Sequence, residues 1–350
     1  MKNSIRAILI TLAFAIVMGV LSSCGNKSNV VLRVYNWADY LDPDVIEMFE
    51  EETGIEIFYN NYDTNENMYN QIKNMKGYSY DVVFPSDYMV KKMSNEGMLA
   101  ELNYDNIPNY ANIDVKYDKM AYDKKRLYSV PYIGGTVCLA YNPDIVAEED
   151  VKSWNVLWNE KYSKNIFMMN SERDSIAIAL KLLGYSINSK KMSELNEAKD
   201  LLMQQKPLVL AYTYDDVKEK MVKEEGALAL MWSCDVTFVK NLNPKIKFTI
   251  PEEGTNLWWD AVCILKESLY KEEAEMFIDF LCREDIALKN AEYLESATPN
   301  KLAYDMLSDE IKNDTVIYPT EDMIAKSEVF EDLSDYMITY TSIWNEVTAE

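Results

Sequence analysis

The feature that most constrains this chain is a repeated switch of hydrophobic period, between that of a strand and that of a helix, over residues 30–85. Residues 30–37 are β-rich. Asp42-Pro43 then reads as a helix N-cap with proline in the first turn, and Gly54 closes a helix carrying Val45, Ile46, Met48 and Phe49. Residues 55–62 form a second predicted strand. Met68, Ile72 and Met75 mark one face of a helix ending at Gly77, and residues 80–85 supply a third apolar strand. Helices connecting successive strands call for a parallel sheet covered by helices. The alternation resumes with strands predicted at 166–169, 227–232, 245–250 and 257–265, and a helix at 174–183 ended by Gly184.

A chain of 350 residues that is 48% apolar carries enough core for two lobes. It has no internal repeat, low-complexity block or Pro/Gly linker, so any two lobes must be joined by strands crossing between them. Its start reads as targeting. Lys2 and Arg6 precede an apolar run over 7–20, which suits a signal-peptide core better than a membrane span, and Leu21-Ser22-Ser23-Cys24 follows. That segment resembles the lipobox of bacterial lipoproteins. It implies a signal peptide over 1–23, lipid attachment at Cys24, a tether over 24–29 and an extracytoplasmic protein touching the cell membrane only through its anchor. The alternative is an ordinary secretory peptide with an incidental cysteine.

Composition removes whole classes of chemistry. With no His, Ser-His-Asp and Cys-His catalysis and His-ligated zinc are excluded. A formal charge of −23 repels phosphate backbones and anionic lipids and favours cationic partners, so no nucleic-acid partner is expected. Cys138, Cys234, Cys263 and Cys282 sit in apolar runs without a CxxC pair, and read as buried thiols or, alternatively, as a disulfide between two of them. Asp63-Thr64-Asn65-Glu66-Asn67 begins like a calcium loop, but Met68 stands where Gly is needed; it reads as a helix start. Met68, Met75 and Met93 read as core filling, and no metal or cofactor is expected.

What stands at the strand ends points to a ligand. Trp37-Ala38-Asp39-Tyr40, Ser86-Asp87-Tyr88, Ser171-Glu172-Arg173-Asp174, Trp232-Ser233-Cys234-Asp235 and Trp258-Trp259-Asp260 all follow or end apolar runs. Open α/β sheets bind ligands at the carboxyl ends of their strands. Indole and phenol faces suit methylenes and cations, and carboxylates suit ammonium groups. Taken singly, each aromatic could be a core cap and Asp39, Asp87 or Asp174 a helix N-cap. Their recurrence in an acidic chain favours a ligand that is both apolar and positive.

Tyr35-Asn36-Trp37-Ala38-Asp39-Tyr40, Glu52-Thr53-Gly54, Asp81-Val82-Val83-Phe84-Pro85-Ser86, Ser129-Val130-Pro131-Tyr132-Ile133, Tyr141-Asn142-Pro143 and Ala297-Thr298-Pro299-Asn300 resemble the spermidine/putrescine-binding proteins of bacterial ABC importers, in order along the mature chain. The resemblance implies a two-lobed periplasmic-binding α/β fold, each lobe a mixed sheet flanked by helices, with the polyamine in the cleft and hinge strands crossing. One lobe would comprise 30–134 plus 260–299 and the other 135–259 plus 300–350. It further implies that Trp37, Tyr40, Trp232 and Trp258 flank the polyamine, that Asp39, Asp174 and Asp260 meet its nitrogens, and that Ser86 and Tyr88 complete the wall. Asp87, Ser171 and Tyr214 are further candidates, and Asp215 is an alternative to Tyr214.

Asn170 and Ser171 stand where relatives often have another acid, Ser296 replaces an aromatic, and a family amide is absent around Val329-Phe330; these departures leave the choice between spermidine and putrescine open. The implied activity is binding, closure and delivery to a permease whose ATPase is a separate subunit, since the chain has no Walker motif. A monomer without catalysis is expected. The alternatives are another solute, iron or a sugar, or a carboxylate glycosidase; paired acids beside Trp suit the last, but ten Gly and no long loops offer no extended cleft.

Overall fold

The computed structural model describes residues 30–38, 40–75, 79–117 and 120–349. The signal, Cys24 and the tether therefore lie outside the described residues, as does Asp39. In chain order the elements begin with β1 (Val31–Trp37), α1 (Pro43–Thr53), β2 (Glu56–Tyr62), α2 (Asn65–Asn74), β3 (Val82–Val83), α3 (Asp87–Asn95) and β4 (Ser129–Tyr141). After a run of short 3-10 turns come β5 (Ile166–Met169), α4 (Glu172–Leu182), α5 (Met192–Gln205), β6 (Val209–Thr213), α6 (Val217–Val222), β7 (Leu228–Trp232) and α7 (Val236–Leu242). β8 (Lys247–Thr249), β9 (Asn256–Ile264), α8 (Lys271–Leu281), α9 (Glu284–Leu294), α10 (Lys301–Met306), α11 (Asp309–Lys312), α12 (Glu321–Lys326), β10 (Glu328–Val329) and α13 (Met337–Thr348) complete the described chain.

The strands run in the order β2-β1-β3-β9-β4-β7-β5-β6, with β10 on β9 and β8 on β4. β1 is parallel to β2 and β3, as the βαβ reading requires, whereas β9 enters antiparallel between β3 and β4. The first part of β4, Ser129 to Thr136, pairs with β9; its second part, Val137 to Tyr141, pairs with β7 and β8. One buried strand thus belongs to both sheets, and the fold is two-lobed with strands crossing between the halves.

Each sheet is covered on both faces. Leu32 and Val34 of β1 pack with Val45 and Phe49 of α1 and Phe277 and Leu281 of α8, while Tyr35 turns to Met68, Met89 and Met93 on the other side. The second sheet buries Leu139, Met168 and Leu230 on one face and Cys138, Phe167 and Met231 on the other. Ile176 and Leu180 of α4 pack with Leu195 and Leu202 of α5 and Tyr340 and Trp344 of α13.

Local signals set the helix ends. Asp42 caps α1 through its carboxylate on the Asp44 N–H, and Gly54 takes the left-handed conformation at the other end. The structure differs from expectation in α2, which stops at Asn74; Met75 caps it and is 44% exposed, so it is not core filling. The third strand is only Val82–Val83, because the chain turns into α3 as soon as Ser86 has reached β9. Asp87 and Asp174 are not N-caps: those positions belong to Ser86 and Ser171. The four described cysteines are free thiols, Cys234 partly exposed and the others buried.

Candidate functional site

Strand β9 carries the site. Its period of two places Asn256, Trp258 and Asp260 on one face, with about 13 Å of strand from first to last. Opposite Trp258 and Trp259 the β4 register sets Gly135 and Gly134. A Cβ on either glycine would come within 2.5 Å of an indole carbon, so the paired glycines let both rings lie against the crossing strand. Trp258 is fixed there by its Nε1–H, which donates to the Thr136 carbonyl at 3.1 Å.

Asp260 is 5% exposed, and its backbone bridges to Ser86. Ser86 in turn is held by Asn65 at the start of α2, whose Nδ2 donates to the Ser86 hydroxyl at 3.0 Å and whose Oδ1 accepts from the Ser86 N–H at 3.1 Å. Burial raises the Asp260 pKa to about 6 against the lowering influence of the Ser86 hydroxyl and the Tyr40 phenol. Its Oδ1 and the Tyr40 hydroxyl nonetheless make no well-formed hydrogen bond with the described residues.

Aromatic rings close around this carboxylate. Trp37 Nε1–H and the Tyr62 hydroxyl both donate to the Phe84 carbonyl, at 2.9 and 2.5 Å, which sets their rings 4.7 Å apart. Tyr40 lies 6.4 Å from Trp37 and 5.9 Å from Tyr132, whose hydroxyl donates to the Tyr40 carbonyl at 3.0 Å. Burial, and then the Asp260 charge, lift the Tyr40 and Tyr62 phenols well above their ordinary range, so both stay neutral donors. Asp87 stands behind: its Oδ1 accepts from Tyr88 N–H at 2.6 Å and its Oδ2 from Trp259 N–H at 3.2 Å. Burial pushes its pKa to about 8, the two backbone donors opposing and Asp260 adding to the rise. It anchors α3 to β9 immediately before Asp260.

A second carboxylate comes from the other sheet's helix. Asp174 lies in the first turn of α4, where the Ser171 hydroxyl donates to Oδ2 at 2.6 Å. Burial raises its pKa to about 6 against Ser171, Arg173 and the Asn256 amide, which lower it, while Glu66 adds to the rise. Its Oδ1 is buried without a partner among the described residues. Next to it the Arg173 guanidinium lies 4.1 Å from the Phe330 ring centre, 5.4 Å from Tyr88 and 5.6 Å from Tyr340, with Nη2 donating to Asn188 at 3.0 Å. Tyr88 donates to Glu66 at 3.0 Å. Helices α3 and α4, from the two halves of the sheet order, therefore meet across this end.

Trp232, at the end of β7, packs against cores of both halves. The structure thus gathers Trp37, Tyr40, Ser86, Asp87, Trp258 and Asp260 at one end and Tyr88, Ser171 and Asp174 at the other. Tyr214 is 52% exposed, and none of the bonds and ring contacts described above involves it. Ser296 donates to the Leu294 carbonyl and is buried. Sequence reasoning passed over Tyr62, Glu66 and Asn256. Asn256 had a legible signal, since it stands two and four residues before Trp258 and Asp260 on the same strand face. Among the described residues no cluster of three or more Cys, Asp or Glu is arranged to hold a metal, and no helix is long and apolar enough to cross a membrane.

Comparison with known proteins agrees with this architecture. The sequence profile of the family described as bacterial extracellular solute-binding protein matches residues 44–319. The chain is 32% identical over 349 residues to the spermidine/putrescine-binding periplasmic protein of Salmonella typhimurium, covering 100% of this chain and 99% of that one. It is 30% identical over 352 residues to a putrescine-binding periplasmic protein of Pseudomonas aeruginosa, with 95% of each covered. Among solved structures, the spermidine/putrescine ABC transporter substrate-binding protein of Streptococcus pneumoniae, in complex with calcium and HEPES, superposes with a TM-score of 0.81 at 33% identity, covering 91% of this chain and 98% of that one.

Proposed function

The chain belongs to the bacterial extracellular solute-binding proteins, and from that premise we propose that it captures a polyamine, spermidine or putrescine, and delivers it to an ABC permease. The observation that carries this reading is the pair of buried, unpaired carboxylate oxygens, Asp260 Oδ1 and Asp174 Oδ1, offered from strand β9 and helix α4. A buried carboxylate left unpaired is costly, and an ammonium group supplies both its countercharge and its hydrogen bonds.

In this reading Asp260 anchors one ammonium group, with Tyr40 and Ser86 orienting the carboxylate. Trp37, Trp232 and Trp258 flank the methylenes and add cation–π attraction of about 0.5 to 2 kcal/mol per good contact. Asp174 meets another nitrogen, Tyr88 and Ser171 complete that wall, and Asp39 is assigned to a nitrogen from its sequence motif alone. Lobes of 30–134 plus 260–299 and 135–259 plus 300–350 close on the ligand because only the closed form lets both carboxylates reach it. No covalent chemistry is assigned. The protein works as a monomer outside the cytoplasm, anchored through acylated Cys24, and its permease and ATPase are separate subunits.

The test is calorimetric and thermal-shift titration of residues 25–350 with putrescine, spermidine, spermine, a maltodextrin and ferric citrate. Polyamine at about 100 times Kd stabilises the fold by roughly 2.7 kcal/mol. Silence with every polyamine and a response to sugar or iron sinks the reading. Membrane fractionation of Cys24→Ala tests the anchor, which unchanged retention refutes.

A further inference from the structure

The polyamine reading leaves one buried group of β9 without a role. Asn256 shares a face with Trp258 and Asp260 and lies at the end where Asp174 stands. It is 2% exposed, and its side-chain amide faces the Asp174 carboxylate closely enough to lower that group's pKa. Its Oδ1 has no hydrogen-bond partner among the described residues, and neither has Asp174 Oδ1. Buried amide oxygens in native proteins are almost always paired, and in a strand interior an apolar side chain packs without the desolvation cost that an unpaired amide oxygen carries.

The nearest cation does not account for the orphaned oxygen. The Arg173 guanidinium is turned to Asn188, the Glu331 carbonyl and the Phe330 ring. Two adjoining acceptors remain, one charged and one neutral, on walls contributed by α4 and β9. A primary ammonium carries three N–H donors, so one carboxylate oxygen leaves it undersatisfied, and an amide oxygen beside that carboxylate takes a second donor without adding charge.

We infer that Asn256 is a ligand-binding residue: its Oδ1 accepts an N–H of the primary ammonium whose charge Asp174 neutralises. This rests on the polyamine reading and adds to it a neutral acceptor from the hinge strand. Because the same strand carries Asp260, the spacing between the two ammonium sites is set by β9 itself.

The test compares Asn256→Leu with the unsubstituted mature protein by calorimetry against putrescine and spermidine, together with ligand-free melting. Leucine keeps the branched shape and the heavy-atom count, adds methyl bulk and removes the acceptor. The expected result is about tenfold or more weaker binding, as loss of one charge-assisted hydrogen bond implies, with ligand-free melting unchanged or higher because an unpaired buried oxygen is gone. Asn256→Ser, smaller and too short to reach the ammonium, gives the same loss should leucine disturb the strand. Polyamine binding that survives unchanged in either folded variant overturns the assignment, and so does a fall in ligand-free melting that accounts for the weakened binding, since that is the mark of a structural role. If the unsubstituted protein gives no heat with either polyamine, the polyamine reading fails and this assignment with it; if it binds and Asn256→Leu binds equally, this assignment fails alone.

Discussion

The two ends of the candidate slot hold carboxylates of similar pKa, each raised to about 6, but build them from different materials. At the Asp260 end the acid sits on a central strand between two neighbours, under rings locked by the Phe84 carbonyl. At the Asp174 end it sits in the first turn of a helix, where the N-cap hydroxyl and the helix dipole partly offset its burial. The first arrangement is rigid because a sheet interior cannot shift one residue without breaking its ladder. The second is carried by α4 and keeps its place relative to that helix. An anchor on the strand and a closing contact on the helix is the division of labour this difference implies.

The sharpest way to break that division is Asp260→Asn. Removing one partner of a buried charge pair costs about 2 to 5 kcal/mol of binding, so polyamine affinity should fall by about 30-fold to a few thousand-fold. Ligand-free melting should hold or rise, because the neutral amide relieves Asp87 of a like charge. Calorimetry and circular dichroism of the same preparation read both. Near-native affinity would remove the strand anchor and leave the helix end as the principal site.

Acidity tests both ends together. Raised carboxyl pKa values mean that the folded chain keeps protons the unfolded chain has released, so these groups make ligand-free stability fall as pH climbs from about 4 to about 6, and on to about 8 for Asp87. Binding has the opposite slope, since an ammonium ligand needs the ionised acids. Affinity should rise about tenfold per carboxylate between pH 5 and pH 7. A flat profile in titrations over that range would mean that neither acid meets the ligand.

Much of the scaffold of this comparison is legible in the sequence, because its signals are local. Asp42-Pro43 and Gly54 fix α1 through caps that involve only their own neighbours. Trp37, Ser86, Trp258 and Asp260 stand out because aromatic and acidic residues interrupt apolar runs. What the sequence hides depends on which strands lie side by side. Tyr62 ends an edge strand and matters only because β1 sets its ring against Trp37. Glu66 is an ordinary first-turn acid until Tyr88 is folded onto it. Gly134-Gly135 carry no visible meaning until the antiparallel register places two indoles across them.

That last pair yields the third test, aimed at the strand shared by both ends. In Gly135→Val the new side chain would collide with the Trp258 ring and the Ser233 hydroxyl, 2.5 and 2.3 Å from the first added carbon. Overpacking of this kind costs about 1 to 3 kcal/mol, and here it also drives Trp258 off its Thr136 bond. Melting temperature and polyamine affinity should fall together. A loss of affinity with melting unchanged would show that Trp258 moves freely, contrary to a rigid strand end.

The smallest effect isolates the helix end. Ser171 performs two tasks with one hydroxyl: it caps α4 by accepting from the Asp174 N–H at 3.3 Å, and it donates to the Asp174 carboxylate at 2.6 Å. In Ser171→Ala the lost cap should cost about 1 kcal/mol of stability. The lost donor should raise the Asp174 pKa further, because the largest influence holding it down is gone and burial acts with less opposition. Affinity for polyamine at pH 6 should then fall several-fold and recover as pH rises to 8, where Asp174 ionises even without the serine. A binding deficit equally large at both pH values would mean that the serine contacts the ligand itself, and would move the hydroxyl from positioning the carboxylate to lining the slot.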